Sequence, residues 1–219
     1  MSATAKSVLL VGATGLVGRE CLRLLLPDAL VSRVVVIARR PLSPDVHSPR
    51  MAVHVMDFDR LSEHASLFDT DAIICTLGTT IRDAGSRERF RAVDFGFPLA
   101  VAQLGRAGGA RHFLLVSALG ADATSRVFYN RVKGELESAV LALGYPRVTI
   151  VRPSLLLGRR TPARLGEEVA KRVVRWVGPV VPRGLRPVEA RRVAEALVRE
   201  AHESASGVRI ISSAEIRKA

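Results

Sequence analysis

Three side chains near the middle of the chain have types and spacing that suit proton transfer, namely Ser117, Tyr129 and Lys133. Tyr129 and Lys133 are four residues apart, so a helix would place them on one face. A tyrosine titrates at about pH 10, but a nearby ammonium favours the phenolate and lowers its pKa. Ser117 follows a predicted strand, and its hydroxyl could hold a substrate oxygen in line with the tyrosine proton. The pattern predicts an acid–base site, and its alternative is a surface tyrosine lying over a lysine stem.

A glycine-rich segment, GATGLVG at 12–18, follows the apolar run 8–11. Gly12 lets the chain turn sharply, Gly15 leaves room for phosphate oxygens, and Gly18 lets a helix pack closely on the strand. The free N–H groups of the helix start would face an anion. We therefore expect a dinucleotide here rather than an ordinary strand–turn–helix link. The expected contacts are Gly12, Thr14, Gly15, Leu16, Val17 and Gly18.

The next predicted strand, 33–38, ends in Arg39 and Arg40. Units that bind NAD usually carry an acidic residue here, which holds the ribose 2′-hydroxyl. Arginine instead offers a planar donor fork that matches a 2′-phosphate. The sequence therefore predicts NADP(H), with Arg39 as the first choice for the phosphate, Arg40 as the second and Arg19 as a further contributor. The alternative is that an arginine-rich chain places arginines here by composition alone.

Residues after the third and fourth predicted strands are further candidates for cofactor contacts. Asp57 could accept a hydrogen bond from the adenine amino group, or it could cap the helix that follows. The small residues of the stretch 76–80 (Thr-Leu-Gly-Thr-Thr) would let the backbone pass beneath the ribose and the nicotinamide, with Gly78 as the first choice for a close approach, Thr79 as the next and Leu77 beside them. Lys133 could also hydrogen-bond the nicotinamide ribose.

Short apolar runs alternate with longer amphipathic stretches along the chain, which is typical of strand–helix units. The pattern predicts an α/β Rossmann fold, a doubly wound parallel sheet with helices on both faces and a ligand crevice at the strand carboxyl ends. One domain over 1–219 is expected, with the proline-punctuated segment 153–187 as a small C-terminal lid over the substrate pocket. Predicted strands are 7–11, 33–38, 51–56, 72–76, 111–116, 147–152 and 207–212, and predicted helices are 16–26, 59–66, 86–107, 126–143, 164–177 and 188–203.

The composition excludes several classes of protein. The net charge of +12 comes from 33 basic and 21 acidic residues that are scattered along the chain, so we expect an anionic cofactor rather than nucleic acid as the partner. The two cysteines, Cys21 and Cys75, form no metal-binding or disulfide pattern and read as buried hydrophobes, which favours a cytoplasmic protein without a metal. No run of 18 apolar residues exists, so no transmembrane segment is expected.

Two surfaces have more than one interpretation. The stretch 169–177 is basic and amphipathic and carries Trp176, so we interpret it as a lid packed on the core, with a peripheral membrane or partner contact as the alternative. The predicted helices at 86–107 and 126–143 offer long surfaces on which two copies of the chain could pair, which leaves a homodimer open.

The chain resembles the atypical short-chain dehydrogenase/reductases, and more narrowly the subgroup of Tat-interacting, oxidoreductase-like proteins and their bacterial relatives. This resemblance implies a Rossmann fold, NADP(H) in the glycine loop and a Ser117–Tyr129–Lys133 set. It also implies that the segment from Pro153 onward closes over the nicotinamide and the substrate. Many relatives have asparagine where this chain has Asp94, so the role of that asparagine cannot be transferred. The resemblance is carried by GATGLVG at 12–18, ARRP at 38–41, LGTTIRDAGS at 77–86, AGGARHFLLVSALGA at 107–121, YNRVKGELE at 129–137 and VRPSLLLGRR at 151–160.

The leading expectation is an NADP(H)-dependent oxidoreductase that exchanges hydride with a small or medium carbonyl substrate, with Tyr129 as the acid or base. The C-terminal part is short beside that of nucleotide-sugar epimerases, which favours a smaller substrate. One alternative is a non-catalytic, regulatory NADP(H)-binding protein that acts through protein partners. The other is an epimerase or isomerase that uses the bound cofactor transiently.

Overall fold

A computed structural model of the chain describes residues 5–157 and 186–218. Its main sheet has seven strands in the order β3-β2-β1-β4-β5-β6-β9, and every neighbouring pair is parallel. All seven predicted strands are confirmed, and so is the Rossmann fold. The strands are β1 (Lys6–Val11), β2 (Val31–Ala38), β3 (Met51–Val55), β4 (Ala72–Cys75), β5 (His112–Val116), β6 (Arg147–Arg152) and β9 (Gly207–Ser212).

Helices connect the strands in the predicted places, and four short elements lie outside the sequence prediction: two short strands and the helices over 81–84 and 213–216. The predicted helix at 164–177 and most of the lid at 153–187 lie outside the described residues. A separate two-stranded parallel sheet forms from β7 (Leu156–Leu157) and β8 (Val188–Glu189). Its first strand follows β6 in the chain, after the carboxyl end of that strand, where the substrate pocket is predicted. The helices are α1 (Leu16–Leu25), a 3-10 segment (Phe58–Phe68), α2 (Ile81–Ala84), α3 (Arg87–Arg91), α4 (Phe97–Ala107), α5 (Phe128–Leu141), α6 (Ala190–His202) and α7 (Ser213–Ile216).

The predicted single helix at 86–107 is wrong in one respect, because a π-helical turn over Ala92–Gly96 divides it into α3 and α4. Pro98 lies in the first turn of α4. Proline has no N–H, so the carbonyl four residues earlier, that of Asp94, loses its usual helical partner. Such π turns often occur at functional sites. The widened turn places Asp94 fully inside the protein.

Strand residues alternate between two apolar layers on opposite faces of the sheet, as expected for a parallel sheet covered on both sides. Leu10 packs in one layer with α1 and α6, and Leu9 packs in the other with α4, α5 and the 3-10 segment. Because both faces are covered, the carboxyl ends of β1, β4, β5 and β6 form an edge at which loops can hold a ligand.

Both cysteines behave as buried hydrophobes, as predicted, and they are free thiols. Burial raises the pKa of Cys75 to about 11, and it raises the pKa of Cys21 further. Within residues 5–157 and 186–218, the side chains form no group of three or more that could hold a metal ion. No helix in the same residues has the length and apolar character needed to cross a bilayer.

Candidate functional site

The glycine loop has the predicted backbone geometry between β1 and α1. Gly12 has a positive φ of 93°, which side chains rarely tolerate. A Cβ on Gly18 would lie 2.2 Å from the carbonyl oxygen of Gly12, so only glycine lets α1 sit this close to the turn. Gly15 is the N-cap residue of α1 and supplies no side-chain cap, and the first turn of the helix contains no acidic residue. The first amides of α1 are therefore available to an anion, as a pyrophosphate requires.

A cleft of about 860 Å³ runs along the carboxyl edge of the sheet, from this glycine loop to the residues that follow β6. Its volume falls in the usual range for small-molecule and cofactor sites. The cleft collects most of the predicted cofactor contacts together with Ser117, Tyr129 and Lys133. Its predicted members are Thr14, Gly15, Leu16, Val17, Arg19, Arg40, Leu77, Gly78, Thr79, Ser117, Tyr129, Lys133 and Pro153.

The two arginines after β2 have different surroundings. Arg40 lines the cleft, as does Arg19 from α1. The guanidinium of Arg39 instead lies over the ring of Phe58, 5.9 Å from its centroid, and Arg39 is not among the residues that line the cleft. The geometry therefore favours Arg40 over Arg39 for contact with a ligand, which reverses the order of preference drawn from the sequence.

Asp57 adopts the second of the two roles expected for it. Its carboxylate accepts a hydrogen bond of 3.2 Å from the backbone N–H of Asp59 and caps the 3-10 segment. It does not line the cleft, so an adenine contact remains a prediction. Thr76 opens the stretch 76–80 expected beneath the ribose and the nicotinamide; it lines the cleft, and its hydroxyl donates to the carbonyl of Val11, 3.0 Å away. Its position directly after β4 was the available signal.

Helix α5 carries three polar side chains on one stripe, four residues apart: Tyr129, Lys133 and Glu137. Lys133 and Glu137 are both buried, and Glu137 forms a salt bridge with Arg152 at the end of β6. Between them, Gly134 packs against the loop after β5, since a Cβ there would lie 2.2 Å from the backbone nitrogen of Ala123. This close contact holds the loop that begins with Ser117 against the helix that carries Tyr129.

Ser117 is held by the sheet, while its hydroxyl remains unsatisfied. Its backbone N–H donates to the carbonyl of Val151 on β6, 2.8 Å away. The side-chain Oγ is buried and has no hydrogen-bond partner among the described residues. Because a buried polar atom without a partner is costly, such an atom at the wall of a cleft is suited to a ligand oxygen.

The most strongly buried charges in the cleft are those of Lys133 and Asp94. The ammonium Nζ lies 2.7 Å from Oδ1 of Asp94, and the two side chains are only 4% and 0% exposed. The other oxygen, Oδ2, accepts a 2.8 Å hydrogen bond from the backbone N–H of Thr79. The pair lies against Gly78, where a Cβ would be 3.4 Å from Oδ1 and 3.6 Å from Nζ. Asp94 thus joins α5 to the loop after β4.

This ion pair changes the electrostatics expected from the sequence. Burial acts to lower the pKa of Lys133, but the carboxylate of Asp94 and the phenol of Tyr129 outweigh it and raise that pKa. Burial raises the pKa of Asp94, opposed by Lys133 and by the N–H of Thr79. Burial is the main cause that raises the pKa of Tyr129; Lys133 lowers it, and Asp94 raises it by a smaller amount. Lys133 thus acts on Tyr129 in the expected direction, but the net pKa of Tyr129 is raised and not lowered, because burial outweighs the ammonium and Asp94 offsets part of its effect.

Further lining residues come from α2 and from the segments after β5 and β6. Asp83 lies on α2, which was too short to be predicted, and Thr80, the last residue of the stretch 76–80, caps that helix. The residues after β6 belong to the segment from Pro153 onward that the resemblance implied would close over the substrate, whereas those at and after the end of β5 had only their position as a signal. The apolar residues of these two segments are Val116, Ala118, Leu119, Leu155 and Leu156, with Ser154 beside them.

The sequence profile of a family described as NAD(P)H-binding matches residues 12–168. Protein HTATIP2 of Rattus norvegicus is 40% identical over 169 residues, which cover 76% of this chain and 69% of that protein. The mitochondrial protein FMP52 of Candida albicans is 28% identical over 208 residues, covering 92% of this chain and 90% of the relative. Since this fungal relative is named as mitochondrial, the comparisons give no support to the expected cytoplasmic location.

Solved structures show the same fold at low identity. The Bordetella bronchiseptica enzyme WbmH in complex with NAD⁺ has a TM-score of 0.72 and 15% identity, covering 95% of this chain and 76% of its own. A short-chain dehydrogenase family protein from Francisella tularensis has a TM-score of 0.67 and 15% identity, covering 98% and 100%. The profile match, the relatives and the glycine cleft agree, and the chain belongs to the NAD(P)H-binding family as an atypical short-chain dehydrogenase/reductase similar to HTATIP2.

Proposed function

We propose that the protein is an NADP(H)-dependent oxidoreductase that reduces a small or medium carbonyl compound, with Tyr129 as the proton donor. The observation that carries the proposal is the gathering of Ser117, Tyr129 and Lys133 in the cleft that also contains the glycine loop. Ser117 adds a buried hydroxyl without a partner among the described residues. Reduction of a carbonyl needs one hydride and one proton, and these side chains can serve the proton.

The backbone of 12–18 would hold the pyrophosphate, and Arg40 with Arg19 would hold the 2′-phosphate. Both arginines lie at the cleft and no acidic residue ends β2, which supports NADP(H) over NAD(H). Leu77, Gly78, Thr79 and Pro153 would border the ribose and the nicotinamide, and Lys133 would bond the ribose. When bound, the reduced cofactor supplies hydride.

In the proposed reaction, the hydroxyl of Ser117 donates a hydrogen bond to the carbonyl oxygen and holds it beside Tyr129. Tyr129 then gives its phenolic proton to that oxygen as the carbonyl carbon gains hydride, and the product is an alcohol. The phenolate that remains takes a proton from solvent through the open cleft. Because the pKa of Tyr129 is raised, the side chain is protonated at neutral pH, as a proton donor must be.

The cleft wall supports a mainly apolar substrate of modest size. Side chains after β5 and β6, including Leu119, Leu155 and Leu156, line the cleft near Ser117. A carbonyl group with an apolar body would bury its body against these leucines and place its oxygen at Ser117.

The test is oxidation of NADPH by the purified protein in the presence of a panel of aldehydes, ketones and quinones. We expect turnover with at least one compound and a loss of about 10²- to 10⁴-fold in Tyr129→Phe, because the proton donor is removed. The variant should still bind NADPH, which fluorescence titration would check. Tyr145→Phe is the matched control, since Tyr145 is a core residue bonded to the carbonyl of Ala102.

Two results would overturn the proposal in different ways. Tight NADPH binding without turnover on the whole panel would point to a regulatory NADP(H)-binding protein. Retained NADP⁺ with inversion of a substrate centre and no net oxidation would point to an epimerase or isomerase.

A further inference from the structure

The buried ion pair between Lys133 and Asp94 sets both the position and the effective charge of the Lys133 ammonium. We propose that Asp94 is a positioning residue that fixes the ammonium of Lys133 and offsets part of its charge beside Tyr129, which helps to keep Tyr129 a neutral phenol. The inference rests on the proposed function, because it assigns how the acid of that site is kept in its working form. With Tyr129 in that form, the site can donate a proton at any pH near neutrality.

The geometry leaves Lys133 little freedom. Asp94 takes the ammonium on Oδ1 at 2.7 Å and the backbone N–H of Thr79 on Oδ2 at 2.8 Å. The π turn that carries Asp94 is fixed by helices on both sides, and Gly78 closes over the pair. The hydrogen bond on Oδ2 orients the carboxylate, and the ion-pair contact on Oδ1 then keeps the ammonium between the loop after β4 and α5.

The charge argument follows from burial. An ammonium without a counter-ion in such a place would act strongly on a neighbouring phenol, because the low dielectric of the interior strengthens charge interactions. With Asp94 in contact, the pair presents a dipole rather than a net charge. Asp94 then offsets part of the effect of the ammonium on Tyr129, and burial is the main influence on the ionisation of the phenol.

The other groups around Tyr129 do not change the balance between the charges of Lys133 and Asp94. Lys133 on its own helix and Asp94 on the π turn are the charges that act on the ionisation of Tyr129. From α3, the ring of Phe90 packs 5.5 Å from the Tyr129 ring, and the guanidinium of Arg87 lies over the neighbouring Phe128. From α2, Asp83 lines the same cleft.

The experiment measures the ionisation of Tyr129 directly and needs no substrate. The chain has two tyrosines, so a Tyr145→Phe background leaves Tyr129 as the one phenol that titrates. The ultraviolet absorbance of the phenolate is followed against pH in four proteins: the background, Asp94→Asn, Lys133→Met and the double variant. Circular dichroism at each pH establishes that the protein is folded. Because Tyr145 is buried with a raised pKa, its removal also keeps the baseline flat.

We expect the titration midpoint of Asp94→Asn to fall by about one pH unit or more, because the ammonium is uncovered. Lys133→Met should have the highest midpoint, since Asp94 alone repels the phenolate. The double variant should lie between Lys133→Met and the background, because both charges are gone and the ammonium acts on Tyr129 more strongly than the carboxylate. In carbonyl reduction, the rate of the background protein should decline only at alkaline pH, and that of Asp94→Asn should decline at lower pH.

The proposal is overturned if Asp94→Asn titrates at or above the background, or if the double variant keeps the lowered midpoint. The second result would mean that a rearrangement, and not charge, moves the phenol. If Asp94→Asn fails to fold, the comparison of Lys133→Met with the double variant still measures the effect of the Asp94 carboxylate on Tyr129. Equal titration midpoints in these two proteins would show that the carboxylate does not act on Tyr129. A protein without turnover but with the expected order of midpoints would reject the proposed function and leave this inference standing.

Discussion

The glycine loop and the Lys133–Asp94 pair border the same cleft, but the chain builds them differently. The loop is contiguous and acts through its backbone, with Gly12 and Gly18 leaving room where a side chain would collide. The pair joins residues 39 positions apart and buries two charges that depend on each other. The cofactor end can therefore lose an exposed arginine at small cost to the fold, whereas the proton-transfer end cannot lose either charge alone.

The largest expected effect comes from breaking the buried pair on one side. Lys133→Met should lower the free energy of unfolding by about 3–5 kcal/mol at neutral pH, because Asp94 is left as a buried, uncompensated carboxylate. Urea unfolding followed by circular dichroism measures this loss. Adding Asp94→Asn to Lys133→Met should restore much of the stability.

The pH dependence of that loss tests its cause. In Lys133→Met, burial holds the pKa of Asp94 above its unfolded value, so stability is regained as pH falls and the carboxyl takes up a proton. The matched control is Arg191→Ala, which removes a largely exposed partner of Glu195 and should change stability by less than about 0.5 kcal/mol. Similar losses in the two variants would contradict the buried-pair description.

The next effect concerns the backbone of the glycine loop. Gly18→Ala places a Cβ 2.2 Å from the carbonyl oxygen of Gly12, and backbone atoms must move to admit it. We expect a stability loss of about 1–3 kcal/mol together with weaker NADPH binding, measured by thermal unfolding and fluorescence titration. Gly96→Ala is the control, because its Cβ would meet nothing closer than 4.0 Å. Unchanged NADPH affinity in Gly18→Ala would argue against a phosphate at this loop.

The smallest effect on the fold, and the sharpest test of cofactor choice, comes from the arginines. Arg40→Ser should weaken NADPH binding by about 10- to 100-fold, the usual range for one lost hydrogen bond to a charged group, and should leave NADH binding unchanged. Arg39→Ser should have a smaller effect, because its guanidinium lies over Phe58. Equal losses for NADPH and NADH would reject the 2′-phosphate assignment, and a larger effect of Arg39→Ser would restore the order inferred from the sequence.

Sequence patterns were reliable where a single segment determines the structure. The apolar runs identified all seven strands of the main sheet, and the glycine spacing identified the turn after β1. The four-residue spacing of Tyr129 and Lys133 identified their common stripe on α5. The pattern failed within 86–107, where uniform helical periodicity concealed the π turn. Pro98 was visible there, but the direction in which the widened turn would send Asp94 depends on the packing of α4 and α5.

The sequence by itself determined the Rossmann fold, the glycine turn and the spacing of the candidate acid and its lysine, because each follows from local backbone geometry and the periodicity of apolar residues. Only the tertiary structure decided which arginine reaches the cleft and that the charge of Lys133 is compensated by Asp94. Electrostatic interactions depend on distance and burial in space, and positions 94 and 133 become neighbours only after the sheet has brought the π turn and α5 together.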